Sequence, residues 1–99
     1  MSINVEKVTY YPPSTNYITD YCCTIGADRD TSLVQSANSN ETITITLYPA
    51  KTDSGYMLLS VKSATNCEYT LTKATSMTYT LTITKIVGNV QITITGHEP

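Results

Sequence analysis

The 99-residue chain contains no tryptophan, no phenylalanine and a single histidine, and only 14% of its residues are charged. Acid–base catalysis needs titratable groups gathered and held in a cleft. The one histidine, His97, stands two residues from the end of the sequence, where a chain seldom holds the geometry that turnover requires. Serine and cysteine nucleophiles have no neighbouring base in a recognisable motif, and no glycine-rich phosphate loop is present. These absences point away from an enzyme and away from any cofactor. Six basic residues against eight acidic ones leave a net charge of −2, with no cluster of lysine or arginine to neutralise several phosphates, which argues against nucleic acid as a partner. No apolar run is long enough for a membrane-crossing helix, so no membrane association is expected. The opening MSINVEKVTYYPP lacks the basic end and apolar centre of a secretory signal. With Met1 as the natural start, the protein is expected to be made and kept in the cytoplasm until something releases it.

Cysteine is sparse too, at three residues. Cys22 and Cys23 are adjacent, so on a strand they would point to opposite faces, and Cys67 stands far along the chain. An odd count with this spacing reads as free thiols filling space in a reducing compartment. A bridge from Cys22 or Cys23 to Cys67 across two layers stays open as the alternative. No CxxC pair or partner histidine suggests a metal site.

What the chain has in quantity is threonine, serine, isoleucine, valine and tyrosine, a mixture suited to pleated, half-buried strands. Residues 42 to 48, TITITLY, place Ile43, Ile45 and Leu47 on one face and threonines on the other. Residues 77 to 84 repeat the alternation with Met77, Tyr79, Leu81 and Ile83 inward, and residues 90 to 95 with Val90, Ile92 and Ile94. Gly88-Asn89 between the last two runs predicts a hairpin. Weaker alternation at 56 to 63 turns Leu59 and Val61 inward, at 67 to 72 Tyr69 and Leu71, and at 16 to 26 Ile18 and Cys22. TDSG at 52 to 55 reads as a turn in which Asp53 bonds its own backbone and Gly55 takes a conformation closed to other residues. Six or seven short strands with no helical periodicity predict an all-β fold, most economically an antiparallel β-sandwich of about seven strands, with an up-and-down barrel as the alternative.

Two local features carry the candidate sites. Asp28 and Asp30 in the polar loop 27 to 40, with Glu41 or Asp53, could in principle gather a calcium ion, against the plainer reading of a solvated loop. YYPPSTNYITDY concentrates tyrosines around Pro12-Pro13, and that proline pair separates an N-terminal arm, residues 1 to 15, from a domain at 16 to 96 and a tail at 97 to 99. The arm is either a contact for a neighbouring protein or an extra edge strand. In the first case Val5, Val8, Tyr10 and Tyr11 would bind the partner, through main-chain pairing and anchoring side chains.

From Asn16 to Gly96 the order of segments resembles a family of bacterial immunoglobulin-like modules, found as repeats in Gram-positive surface proteins and in bacteriophage structural proteins. The stretches that carry the resemblance are NETITITLYPAKTDSGYMLLSVKS, a strand, a Gly-Tyr turn and a second strand, and YTLTITKIVGNVQITITG, a strand, a Val-Gly-Asn turn and a threonine-rich closing strand. The resemblance implies an Ig-like sandwich with a binding or structural role and no shared catalytic site. A solitary module of this kind looks most like a phage virion component, a capsid decoration or tail-attached protein whose partners are capsid or tail proteins. The alternatives are a carbohydrate-binding or adhesive module, using Asp28, Asp30, Asp53 and Tyr56 on host-surface glycans, and a spacer repeat cut from a longer bacterial cell-surface chain.

Overall fold

Alternation decides the fold, because a strand has a side-chain period of two and can bury one face while wetting the other. A computed structural model describes residues 1–8 and 21–99, and these form ten strands and no helix. In chain order they are β1 (Ser2–Lys7), β2 (Cys23–Ile25), β3 (Ser32–Ser36), β4 (Ile43–Pro49), β5 (Lys51–Thr52), β6 (Gly55–Tyr56), β7 (Leu58–Ala64), β8 (Glu68–Thr75), β9 (Thr78–Thr84) and β10 (Val90–His97). The count exceeds the expected seven. The additions are the short β5–β6 ribbon and the strands β1 and β3, which the alternation had not marked; of the run expected at 16 to 26, the described part forms the three-residue β2.

Two four-stranded sheets, ordered β3-β1-β10-β7 and β2-β4-β9-β8, face each other as a sandwich. Their inner faces supply one core: Ile3 and Val5 from β1, Ile45 and Leu47 from β4, Leu81 and Ile83 from β9, Ile92 and Ile94 from β10. Within the second sheet the register places like beside like. Ile45 lies opposite Leu81 and Leu81 opposite Leu71, while Thr44, Thr82 and Thr70 form one outward row and Thr46, Thr80 and Thr72 another. Branched threonines suit the strand and keep their hydroxyls towards water.

The expected hairpin at Gly88-Asn89 is replaced by a crossing. β9 and β10 belong to different sheets, and the Val87 amide donates to the Asn66 carbonyl at 2.9 Å instead of closing a ladder. Ile86, fully buried between the two strands, pins the crossing to the core. A tight turn and a passage between layers draw on the same residue types, and only the third dimension separates them. The hairpin that does form joins β8 to β9 through Ser76 and Met77, which leaves Met77 54% exposed at its tip and not inward. In the TDSG turn Gly55 takes φ +119°, as expected, but the bonding side chain is Thr52: its buried hydroxyl donates to the Gly55 carbonyl and accepts from the Ser54 amide. Ile18, expected inward, lies outside the described residues.

The segment expected as an arm or extra edge strand, residues 1 to 15, takes another form as far as residue 8. β1 is an interior strand, paired antiparallel with β3 on one side and parallel with β10 on the other, Ile3 opposite Val90 and Val5 opposite Ile92. This parallel pair is the exception in otherwise antiparallel sheets. At the other terminus the tail begins later than expected, since β10 runs through His97, opposite Leu58.

One polar contact ties the layers directly. The buried Tyr79 of β9 accepts a hydrogen bond at its phenolic oxygen from the Leu59 amide of β7, at 3.2 Å. Removing that oxygen strands a buried N–H. Tyr79→Phe is expected to destabilise the fold by about 1–3 kcal/mol, with an unchanged denaturant slope, in urea unfolding followed by circular dichroism.

Candidate interaction surfaces

Of the four residues expected to bind a partner, Val5 and Val8 are described. Val5 is fully buried in the core, its strand hemmed in by β3 and β10. Val8 is half-buried where β1 ends; its amide donates to the Ile94 carbonyl at 2.9 Å and its carbonyl accepts from the Cys22 amide at 3.3 Å. Tyr10 and Tyr11 lie outside the described residues. Periodicity missed β1 because SINVEK contributes only two inward apolar residues, Ile3 and Val5, too few to stand out from a loop.

The acids considered for calcium are dispersed. Glu41 precedes β4 and accepts from the Asn38 amide at 2.9 Å, whereas Asp53 follows β4, in the β5–β6 turn. Asp28 and Asp30 sit where the chain passes from β2 to β3. Among the described residues no group of three or more His, Cys, Asp or Glu side chains is placed to hold a metal ion. The β2–β3 passage is nevertheless shaped. Asp30 bridges back to Ile25, and its carboxylate accepts from the Thr31 amide at 2.7 Å. The Arg29 guanidinium lies 4.0 Å from the centre of the Tyr48 ring, a cation–π arrangement. Beside it opens a crevice of about 340 Å³ lined by Ile25, Asp28, Asp30, Leu33 and Val34. Asp53 and Tyr56 do not line it; Tyr56 packs instead under Lys51, 5.5 Å from its ring centre.

A more extended surface runs along β8. It closes one side of its sheet, with no strand beyond it among the described residues. Its inward set is Tyr69, Leu71 and Lys73, opposite Ile83, Leu81 and Tyr79. Coverage by the facing layer is thin there, leaving Tyr69 41% exposed and Leu71 half-buried. At one end Glu68 accepts a 2.8 Å ion pair from Lys85, and this pair holds the Lys85 ammonium above its ordinary value. The alternation gave the facing of Tyr69 and Leu71 correctly but not their coverage. The signal was Lys73, a charge at an inward position, which a central strand does not tolerate.

The three cysteines are free thiols. Cys22 and Cys23 do not divide between two faces, because Cys22 precedes the strand; both are fully buried, with their sulfurs 3.8 Å apart. Cys22 also donates to the Ile94 carbonyl at 3.6 Å. The thiol–thiol hydrogen bond lowers the Cys22 pKa and, together with burial, drives that of Cys23 far up. Cys22 packs beneath Gly96, where an added Cβ would come within 2.8 Å of its own Cβ. Cys67 is partly exposed, and its pKa is raised by partial burial.

In comparison with known proteins, the chain matches no family model, no curated protein and no solved structure.

The cysteine environments set an order of reactivity. Under native conditions a maleimide is expected to modify Cys67 alone, more slowly than an unhindered thiol at the same pH and faster as pH rises. Cys22 and Cys23 are expected to react only as fast as the fold opens. Mass spectrometry of the labelled peptides over a time course, with and without urea, checks this.

Proposed function

We propose that this chain is a non-enzymatic structural protein of a bacteriophage virion, a capsid decoration or tail-attached protein built as an Ig-like module that binds other virion subunits. The observation that carries the proposal is the β8 edge. Glu68–Lys73 offers a main-chain edge with no strand beyond it among the described residues, and Tyr69 and Leu71 beside it are apolar residues that the domain's own second layer leaves partly uncovered. A neighbouring subunit laying a strand or a surface there would gain backbone hydrogen bonds and an aromatic anchor together. The resemblance in the two threonine-rich segments supports the same reading. A core joined across its layers supports it as well, since attachment calls for a body that keeps its shape. On this reading the protein is made in the host cytoplasm, in keeping with its free thiols, and resides on the particle.

The crevice beside Arg29 and Tyr48 favours a second reading, a carbohydrate-binding or adhesive module, in which Asp28 and Asp30 would accept hydrogen bonds from sugar hydroxyls. Binding on a glycan array that is lost in Asp28→Ala would select it.

For the virion reading, particles purified from cells that naturally make this chain are expected to contain it at a fixed ratio to the major shell or tail protein, by quantitative mass spectrometry. Purified Tyr69→Lys protein should re-attach to stripped particles about tenfold more weakly or worse, as loss of an aromatic anchor does. Absence of the chain from particles, or undiminished attachment of the variant, would count against the proposal.

A further inference from the structure

β1 occupies an unusual seat. It fills a slot between β10 and β3, and among the described residues it is the only strand to which β3 is paired in the sheet. Ile3 and Val5 complete the core from this slot. The seat is also a compromise. The β1–β10 ladder is parallel, with slanted bonds that hold slightly less well per residue than antiparallel ones. The side-chain oxygen of Asn4 is buried there without a hydrogen-bond partner.

The connection to the rest of the fold matters as much. The chain leaves at Val8 and returns at Tyr21, and the Val8 carbonyl meets the Cys22 amide at 3.3 Å, so both ends of residues 9–20 lie at one point. Those residues therefore span no distance that closing the domain requires. Fully extended, the path from Val8 to Tyr21 would reach roughly 45 Å. The described fold measures 44 × 22 × 22 Å, so the reach covers its width with length to spare.

We propose that β1 is an exchangeable strand, residues 2–7 of one copy entering the slot between β10 and β3 of a second copy, and reciprocally. Each exchanged strand makes the contacts it makes at home, so the two arrangements differ only in the concentration of copies against the hold of the connecting segment. A crowded array of copies tips that balance towards exchange. The inference concerns copies of this chain alone and does not depend on the virion reading.

The register supplies the test. Asn4 lies directly opposite Val34, which is 67% exposed, so cysteines at both positions can form a disulfide across the slot. In a Cys67→Ser background, chains carrying only Asn4→Cys are mixed with chains carrying only Val34→Cys, unfolded and refolded together at roughly millimolar concentration, where a short connection competes with neighbours. Exchange predicts a disulfide-linked pair of twice the chain mass on a non-reducing gel, above the level given by either variant alone and rising with concentration. The proposal is overturned when the double variant closes its disulfide within one chain while the mixture yields no linked pair. Where the double variant does not close, Asn4→Cys with Gln91→Cys reads the other wall of the slot by the same criterion.

Discussion

Burial of every second residue between two facing layers is the constraint on which the rest depends. Shifting a strand such as β4 by one position would send Ile43, Ile45 and Leu47 to water and Thr44 and Thr46 into the core, so the register is fixed by the same pattern that fixes the fold. With no tryptophan or phenylalanine available, aliphatic residues do this work, and the buried Tyr79 carries a hydroxyl that must be satisfied. The Leu59 amide satisfies it from the opposite layer. A polar group that would be a burden in the core thus becomes a tie between sheets.

What alternation could reveal, it revealed where strands are long and one face is fully covered. The inward sets of β4, β9 and β10 follow from TITITLY, TYTLTIT and VQITIT alone. Connectivity was hidden because the passage through Ile86 and Val87 between layers has the composition of a turn, and nothing local states which sheet a strand will join. β1 was hidden for a different reason: its place depends on β10, at the far end of the sequence, and on β3, whose SLVQS has one half-buried residue. Val5, read either as a partner contact on an arm or as part of an edge strand packed on the domain, lies in the domain's own interior.

The open edges show how a threonine-rich sheet protein avoids sticking to itself along its whole length. β7 is irregular at Lys62, where its pairing to β10 skips a residue, and β8 is irregular at Ala74, next to Lys73. A bulge and a charge on each long edge shorten the stretch on which another strand can be laid. On β8 what remains is Glu68–Lys73, with Tyr69 and Leu71 at its centre. An edge blunted at one end and left apolar in the middle is suited to a chosen neighbour more than to indiscriminate pairing.

The pairing of the first strand with the last also orders events during synthesis. Every strand of the β2-β4-β9-β8 sheet lies before residue 85, so that layer has all its strands made before β10 is complete. The other layer does not, since β1 and β3 have only each other, and β7 has no neighbour in its sheet among the described residues, until β10 emerges. Non-local pairing of this kind is slow to form. The nascent protein therefore passes through a half-built stage in which Ile3 and Val5 lack Val90 and Ile92 beside them, at the moment when other newly made copies are nearest.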